Sequence, residues 1–138
     1  MSLQAIKSSL EKEAVCHSGK IGYLIREGEE IISHNPGGIF SSASTIKLPL
    51  LIEAFRRFDK GIAAPGKMLA IGNHVGGSGV LQALSIEEMS FRDLLSLMII
   101  VSDNTATNLV IDELDIPFPF RFPGLGLRDT VLRRKMMD

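Results

Sequence analysis

The sequence predicts an α+β fold, and three observations carry that prediction. Residues 3–16 hold apolar side chains at helical spacing and are followed by two short β-rich runs around Glu27-Gly28. Two further helical patterns, over residues 44–60 and 91–101, begin at or just after a serine. The stretches between them are rich in glycine and proline, which interrupt regular structure. Helices and hairpin strands in separate runs of the chain make an α+β arrangement.

Leu3, Ile6, Leu10, Ala14 and Cys16 lie on one side of the first helix, which stops at Ser18-Gly19. Residues 20–26 and 30–33 read as a hairpin turning at Glu27-Gly28. From Ser44 to Lys60 the apolar positions are Ile46, Leu50, Leu51, Ala54, Phe55 and Phe58, and Gly61 supplies the stop. Residues 65–79 read as a loop with a brief extended piece at 68–71. Ser90, three residues before Asp93, is placed to cap a helix over 91–101 that is apolar nearly all round and so predicted to be the buried centre. A polar break at Ser102-Asp103-Asn104 leads into a helix over 105–114. Pro117, Pro119 and Pro123 then exclude regular structure as far as Gly124 and Gly126.

A chain of 138 residues suits one domain and can bury roughly two-thirds of its unfolded surface. Fifteen Lys and Arg against sixteen Asp and Glu give a net charge of −1, so no broad field attracts nucleic acid or an anionic membrane. The single cysteine, Cys16, and three scattered histidines form no metal-binding spacing, and neither a metal nor another cofactor is expected. The longest apolar run, Leu97 to Val101, falls far short of the roughly 20 residues that span a bilayer. The first residues are charged at Lys7, Glu11, Lys12 and Glu13 and contain no signal-peptide core. The sequence as it stands therefore reads as cytoplasmic, or as exported with its signal removed.

The residues with chemical potential fall in two short stretches. In Ser44-Thr45-Ile46-Lys47 the hydroxyl and the amine are three residues apart and share one helix face. A serine is a weak nucleophile until a base or a cation acts on it. Lysine serves as a base only where burial or neighbouring positive charge lowers its pKa, and Leu48-Pro49-Leu50 provides an apolar setting. Alone, this spacing is equally that of an N-cap followed by a solvated lysine. Ser102-Asp103-Asn104 adds a second hydroxyl and a carboxamide at a break between apolar helices. It also reads as a capping turn, in which Asp103 or Asn104 accepts from the next helix's first amides.

Together, Ser44-Thr-Ile-Lys47 and Ser102-Asp-Asn104 match two of the three motifs of class A β-lactamases and penicillin-binding proteins. Phe40-Ser-Ser-Ala-Ser-Thr-Ile-Lys-Leu-Pro-Leu50, Gly77-Ser-Gly-Val-Leu81 and the run from Asp93 to Asn108 resemble that family's segments in the correct order. Residues 126–134 extend the likeness. The resemblance implies a β-lactamase/transpeptidase-like fold, mainly its helical part with an N-terminal helix and hairpin. It implies a β-lactam as small-molecule substrate and an acyl-enzyme on Ser44, whose backbone N–H supplies half of an oxyanion hole. It also implies that Lys47 helps to remove the serine proton, directly or by holding a charged network, that Ser102 passes a proton to the released nitrogen, and that Asn104 binds Lys47 and the substrate amide.

Three departures qualify these expectations. No Lys-Thr-Gly follows Ser102-Asp-Asn104; His17-Ser18-Gly19 resembles it in type but precedes Ser44 and reads as a helix stop. Met136 occupies the place of the family's deacylating glutamate, and Asp138 is not read as its substitute because a terminal residue is usually mobile. Residues 116–124 do not resemble the family's helix in that region. The chain is therefore expected to be a β-lactamase-like domain lacking its C-terminal strands, with an exposed hairpin edge that leaves it less stable than the family norm or through which it associates. Three functions remain open: a β-lactam hydrolase, a penicillin-binding acyl-enzyme former that does not deacylate, and a non-catalytic remnant of the fold.

Overall fold

The structure is a computed structural model that describes residues 2–138. It is α+β, with four helices and three antiparallel strand pairs among the described residues. The chain divides into two compact units, Met1–Ser41 and Ser42–Asp138.

In the first unit, α1 (Leu3–Cys16) is capped by Ser2, whose Oγ accepts from the Ala5 amide at 3.3 Å. Leu3 is buried; Ile6, Leu10 and Ala14 are half-buried, so the predicted face is correct except at Cys16, which is exposed. The hairpin pairs β1 (Tyr23–Glu27) with β2 (Glu30–His34), Tyr23 opposite His34 and Glu27 opposite Glu30. Its two-residue turn needs a left-handed residue, which Gly28 supplies at φ 59°. Tyr23 and Ile25 alternate with Leu24 and Arg26, so Ile32 and the Tyr23–His34 stack share one face while Leu24 and Ile31 stay exposed on the other.

The second unit holds one apolar core. A 3₁₀ turn (Ala43–Ile46) leads directly into α2 (Lys47–Asp59), so the predicted helix over 44–60 starts with a tighter turn. Ile46, Leu50 and Ala54 of this segment are buried. The expected extended piece is β3 (Met68–Ala70), and it pairs with β4 (Glu88–Ser90), a strand too short to read from sequence.

As predicted, Ser90 caps α3 (Phe91–Ile100): its Oγ accepts from the Asp93 amide at 3.1 Å and donates to Asp93 Oδ2 at 2.7 Å. Phe91, Leu94, Leu95 and Met98 of α3 are buried, but Ile100 is 79% exposed, so the helix is central on one face only. After the turn at 101–103 comes α4 (Asn104–Glu113), one residue earlier than predicted; Ala106, Val110 and Ile111 pack against α3 and α2.

Residues 116–124 are not wholly irregular. The Phe118-Pro119 peptide is cis, and β5 (Phe120–Arg121) pairs with β6 (Val131–Leu132). Phe122 and Leu132 close the core from this side. No helix is long and apolar enough to cross a membrane among the described residues.

Candidate active site

The polypeptide brings the starts of two helices to one point. Ser44 is exposed in the 3₁₀ turn ahead of α2, directly after Ala43, which holds a left-handed φ of 43°. A non-glycine residue in that conformation is strained and is found mostly where the surrounding structure requires it. Lys47 opens α2 and is only 2% exposed, because Ile46 and Leu50 beside it anchor the helix in the core.

Burial of an amine without partners would be costly, and Lys47 has partners for each of its donors. Nζ donates to the Ser102 carbonyl at 2.7 Å, to Ser102 Oγ at 3.0 Å and to Asn104 Oδ1 at 3.0 Å. Ser102 Oγ in turn donates to Ser44 Oγ at 2.8 Å. The four sequence-predicted residues Ser44, Lys47, Ser102 and Asn104 are therefore brought together. The connection differs from the spacing argument: the amine is linked to the Ser44 hydroxyl through Ser102 rather than by direct approach along one helix face.

Ser102 has a left-handed φ of 56°, which turns the chain sharply between α3 and α4. Asp103 anchors both the start of α4 and a distant turn. Its Oδ1 accepts from the Ala106 amide at 2.9 Å, which settles the cap on Asp103 rather than Asn104, while its Oδ2 accepts from the Val80 and Leu81 amides at 2.7 and 2.9 Å. Asn104 is held by the same turn: its amide donates to the Ser78 carbonyl at 3.0 Å and its Nδ2 to the Gly76 carbonyl at 3.0 Å. Gly77, at φ 90°, passes so close that a Cβ there would stand 2.9 Å from Asn104 Nδ2.

Burial holds the Lys47 pKa below its ordinary value, and the negative charge of Asp103 acts in the opposite sense. An amine so placed gives up its proton more readily than a solvated lysine.

Two contributors lie within the family-like runs 77–81 and 93–108 but received no role from the sequence. The 76–81 turn reaches Asn104 and Asp103 only through tertiary contact. Asn108, one turn beyond Asn104, accepts from the Met136 amide at 2.8 Å and donates to its carbonyl at 3.2 Å, fixing the 135–137 segment. Met136 packs partly against the core, while the sulfur of Met137 approaches Gly77. An i, i+4 pair of asparagines starting in Ser102-Asp-Asn104 was the available signal.

A cavity of about 310 Å³ lies at the other end of α2, lined by Glu53, Arg56, Arg57, Lys60, Ile62 and Pro123. Its guanidinium groups are engaged: Arg56 donates to the Pro123 carbonyl at 2.7 Å, Arg57 donates to that of Leu114, and both pair with Glu53. Among the described residues, no group of three or more His, Cys, Asp or Glu is placed to hold a metal ion.

An α+β framework that converges two helix starts on a hydroxyl pair and a buried amine is the architecture of the serine β-lactamases and penicillin-binding proteins. Residues 4–138 match the sequence pattern of the Beta-lactamase enzyme family, and the chain belongs to that family. A β-lactamase from Sphaerobacter thermophilus superposes with a TM-score of 0.84 at 33% identity, covering 99% of this chain and 53% of that enzyme. Beta-lactamase 1 of Streptomyces cacaoi is 30% identical over 119 residues, covering 77% of this chain and 36% of its own length. An acyl-enzyme complex of a PBP-A variant with penicillin G superposes with a TM-score of 0.70 at 25% identity over 81% of this chain and 45% of that one. The chain thus spans about half the length of these solved relatives and less of the Streptomyces enzyme.

Proposed function

We propose that residues 1–138 form the nucleophile-bearing part of a β-lactamase-like domain and that this part opens penicillin- and cephalosporin-type β-lactams through an acyl-enzyme on Ser44. The observation that carries this reading is the unbroken hydrogen-bond line from Lys47 Nζ through Ser102 Oγ to Ser44 Oγ. In the acylation step, Ser44 Oγ bonds to the lactam carbonyl carbon as its proton moves toward Ser102 and Lys47. Collapse of the tetrahedral species breaks the ring C–N bond, and Ser102 delivers a proton to the released nitrogen. The Ser44 amide stands at the start of a 3₁₀ turn, where backbone N–H groups lack partners within the turn, and can donate to the oxyanion. Asn104 holds Lys47 and offers its carboxamide to the substrate side chain.

A second reading is favoured by the 135–137 segment: Ser44 is acylated and the adduct is retained. Asn108 fixes Met136 where the family resemblance places a deacylating glutamate, and neither Met136 nor Met137 supplies a carboxylate.

Intact-mass measurement after incubation with penicillin G tests both readings, with a chromogenic cephalosporin as the turnover assay. Hydrolysis with a transient adduct supports the first reading. A lasting adduct, absent in Ser44→Ala, supports the second. No adduct at any concentration overturns both and leaves a non-catalytic remnant of the fold.

A further inference from the structure

The cavity of about 310 Å³ at the far end of α2 is separate from the Ser44 site: Lys47 opens the helix and Lys60 follows its last residue, so 13 helical residues hold the two apart by roughly 20 Å. Arg56, Arg57 and Lys60 line this cavity with a single carboxylate, Glu53, a local excess of positive charge on a chain whose net charge is −1. Basic side chains in a last turn commonly answer the negative pole of their helix. Here backbone amides meet the last carbonyls instead. Those of Arg56, Arg57 and Phe58 accept from Lys60, Ile62 and Gly61, with Gly61 turning the chain at φ 66°.

Both guanidinium groups are held in place yet spend only part of their hydrogen-bonding capacity. Arg57 Nε donates to Glu53 Oε1 at 3.1 Å and its Nη1 to the Leu114 carbonyl. Arg56 Nη1 donates to the Pro123 carbonyl at 2.7 Å and stands 3.6 Å from Glu53 Oε2. An arginine carries five N–H donors, so the Nη2 group of each remains to be used. Gly124, at φ 78°, lets the chain pass close to one of them: a Cβ there would stand 3.0 Å from Arg56 Nη2. Glu53 thus aligns two cations while its charge offsets one. No ion pair commits Lys60 among the described residues. Ile62 and Pro123 add an apolar wall beside these donors.

We propose that this cavity is a second binding site, for a phosphomonoester with a small apolar body: the phosphate faces Arg56, Arg57 and Lys60, and the body lies against Ile62 and Pro123. Charge selects the anion. A phosphomonoester carries close to two negative charges at neutral pH, which matches the excess left after Glu53 is paired, whereas a carboxylate carries one. Guanidinium forks suit its oxygens in geometry as well. The volume stands at the small end of ligand cavities and leaves room beyond the phosphate itself. Because Glu53, Leu114 and Pro123 already fix the two arginines, binding has only the Lys60 side chain to order.

The test is an NMR titration of the full chain with phenyl phosphate at constant ionic strength, with inorganic phosphate and benzoate as comparison ligands. Saturable shifts are expected at the Gly61 and Ile62 amides and at Arg57 Nε, with phenyl phosphate binding more tightly than either comparison ligand. Lys60→Gln and Arg56→Gln should each weaken it by about tenfold, the loss of one charge-assisted hydrogen bond. Lys60 is exposed, so its replacement decides the matter should Arg56→Gln fail to fold. Shifts that grow linearly, or that sodium chloride reproduces at the same ionic strength, overturn the proposal. Saturable binding that the folded variants leave at wild-type strength overturns it too, as does equal affinity for phenyl phosphate and either comparison ligand. No arm uses a β-lactam, so an inert Ser44 would defeat the proposed function and leave this inference to its own result.

Discussion

Gly79 and Asp103 are in direct contact: a Cβ built on Gly79 would stand 2.3 Å from the Asp103 carboxyl carbon and 2.6 Å from its Cα. Gly79 also has a φ of 122°, a conformation that side chains disfavour. The 78–81 turn can deliver the Val80 and Leu81 amides to the carboxylate only because nothing projects from residue 79. Gly79→Ala is expected to lose at least about 1–3 kcal/mol of stability from overpacking alone. In urea unfolding the midpoint should fall, and amide exchange at Val80 and Leu81 should accelerate. Wild-type protection at those two amides would contradict the contact.

Ser102→Ala removes the hydroxyl between the Lys47 amine and the Ser44 hydroxyl without touching either. Acylation of Ser44 by penicillin G is expected to slow by about 10²–10⁴-fold, the range for loss of a positioned proton-transfer group. Time-resolved intact mass measures this directly. A variant acylated at the wild-type rate would mean that Lys47 reaches Ser44 without Ser102.

The Lys47 environment predicts two pH dependences of the same sign. Burial lowers its pKa, so between that lowered value and the ordinary 10.5 the unfolded chain binds a proton that the folded chain has released. Stability from this group therefore rises with pH through that window, and Lys47→Met should abolish this component in urea melts run at increasing pH. Acylation of the wild-type chain should rise over the lower part of the same window as the free amine forms. A Lys47-dependent fall in stability with rising alkaline pH would reverse the sign and contradict the burial argument.

Asn108 holds residue 136 by a reciprocal pair of hydrogen bonds, and it is only 9% exposed. Asn108→Ala leaves both Met136 backbone groups without these partners, at an expected cost of about 1–3 kcal/mol. Limited proteolysis should then cut in 133–138 faster than in the wild-type chain. Unchanged cleavage in that segment would show that the Lys135–Asp112 ion pair and the β5–β6 pairing hold it unaided.

The exposed hairpin face and open strand edges predict concentration-dependent self-association. Leu24 is 61% and Ile31 56% exposed, and among the described residues β1 and β2 form a two-stranded sheet. Sedimentation velocity over a concentration series should show dimers or larger species that diminish in Leu24→Lys/Ile31→Lys. A monomer at all concentrations would remove the edge as an association surface.

Local features were the ones legible in the sequence. Ser90 announced its helix start, and Asp103 or Asn104 the next, because a capping side chain bonds amides two or three residues away. The hairpin announced itself through Gly28. The β4 strand and the β5–β6 pair did not, since two or three residues carry too little alternation and their partners are distant in the chain. At the site, residue types and order were readable from Ser44-Thr-Ile-Lys47 and Ser102-Asp-Asn104, but their wiring was not. The Ser102 carbonyl reaches Lys47 only through a left-handed turn, and the second carboxylate oxygen of Asp103 is committed to a turn more than twenty residues away.

The convergence of the α2 and α4 starts also shapes the electric field around Ser44. The α4 pole is met by the Asp103 carboxylate, which accepts from the Ala106 amide, whereas no side chain caps the start of α2, where Lys47 lies. A negative oxygen forming at Ser44 would therefore meet the pole of α2, which does not have to reorient as charge builds up. The framework itself thus favours anionic species at the mouth of the site, before any particular side chain makes contact.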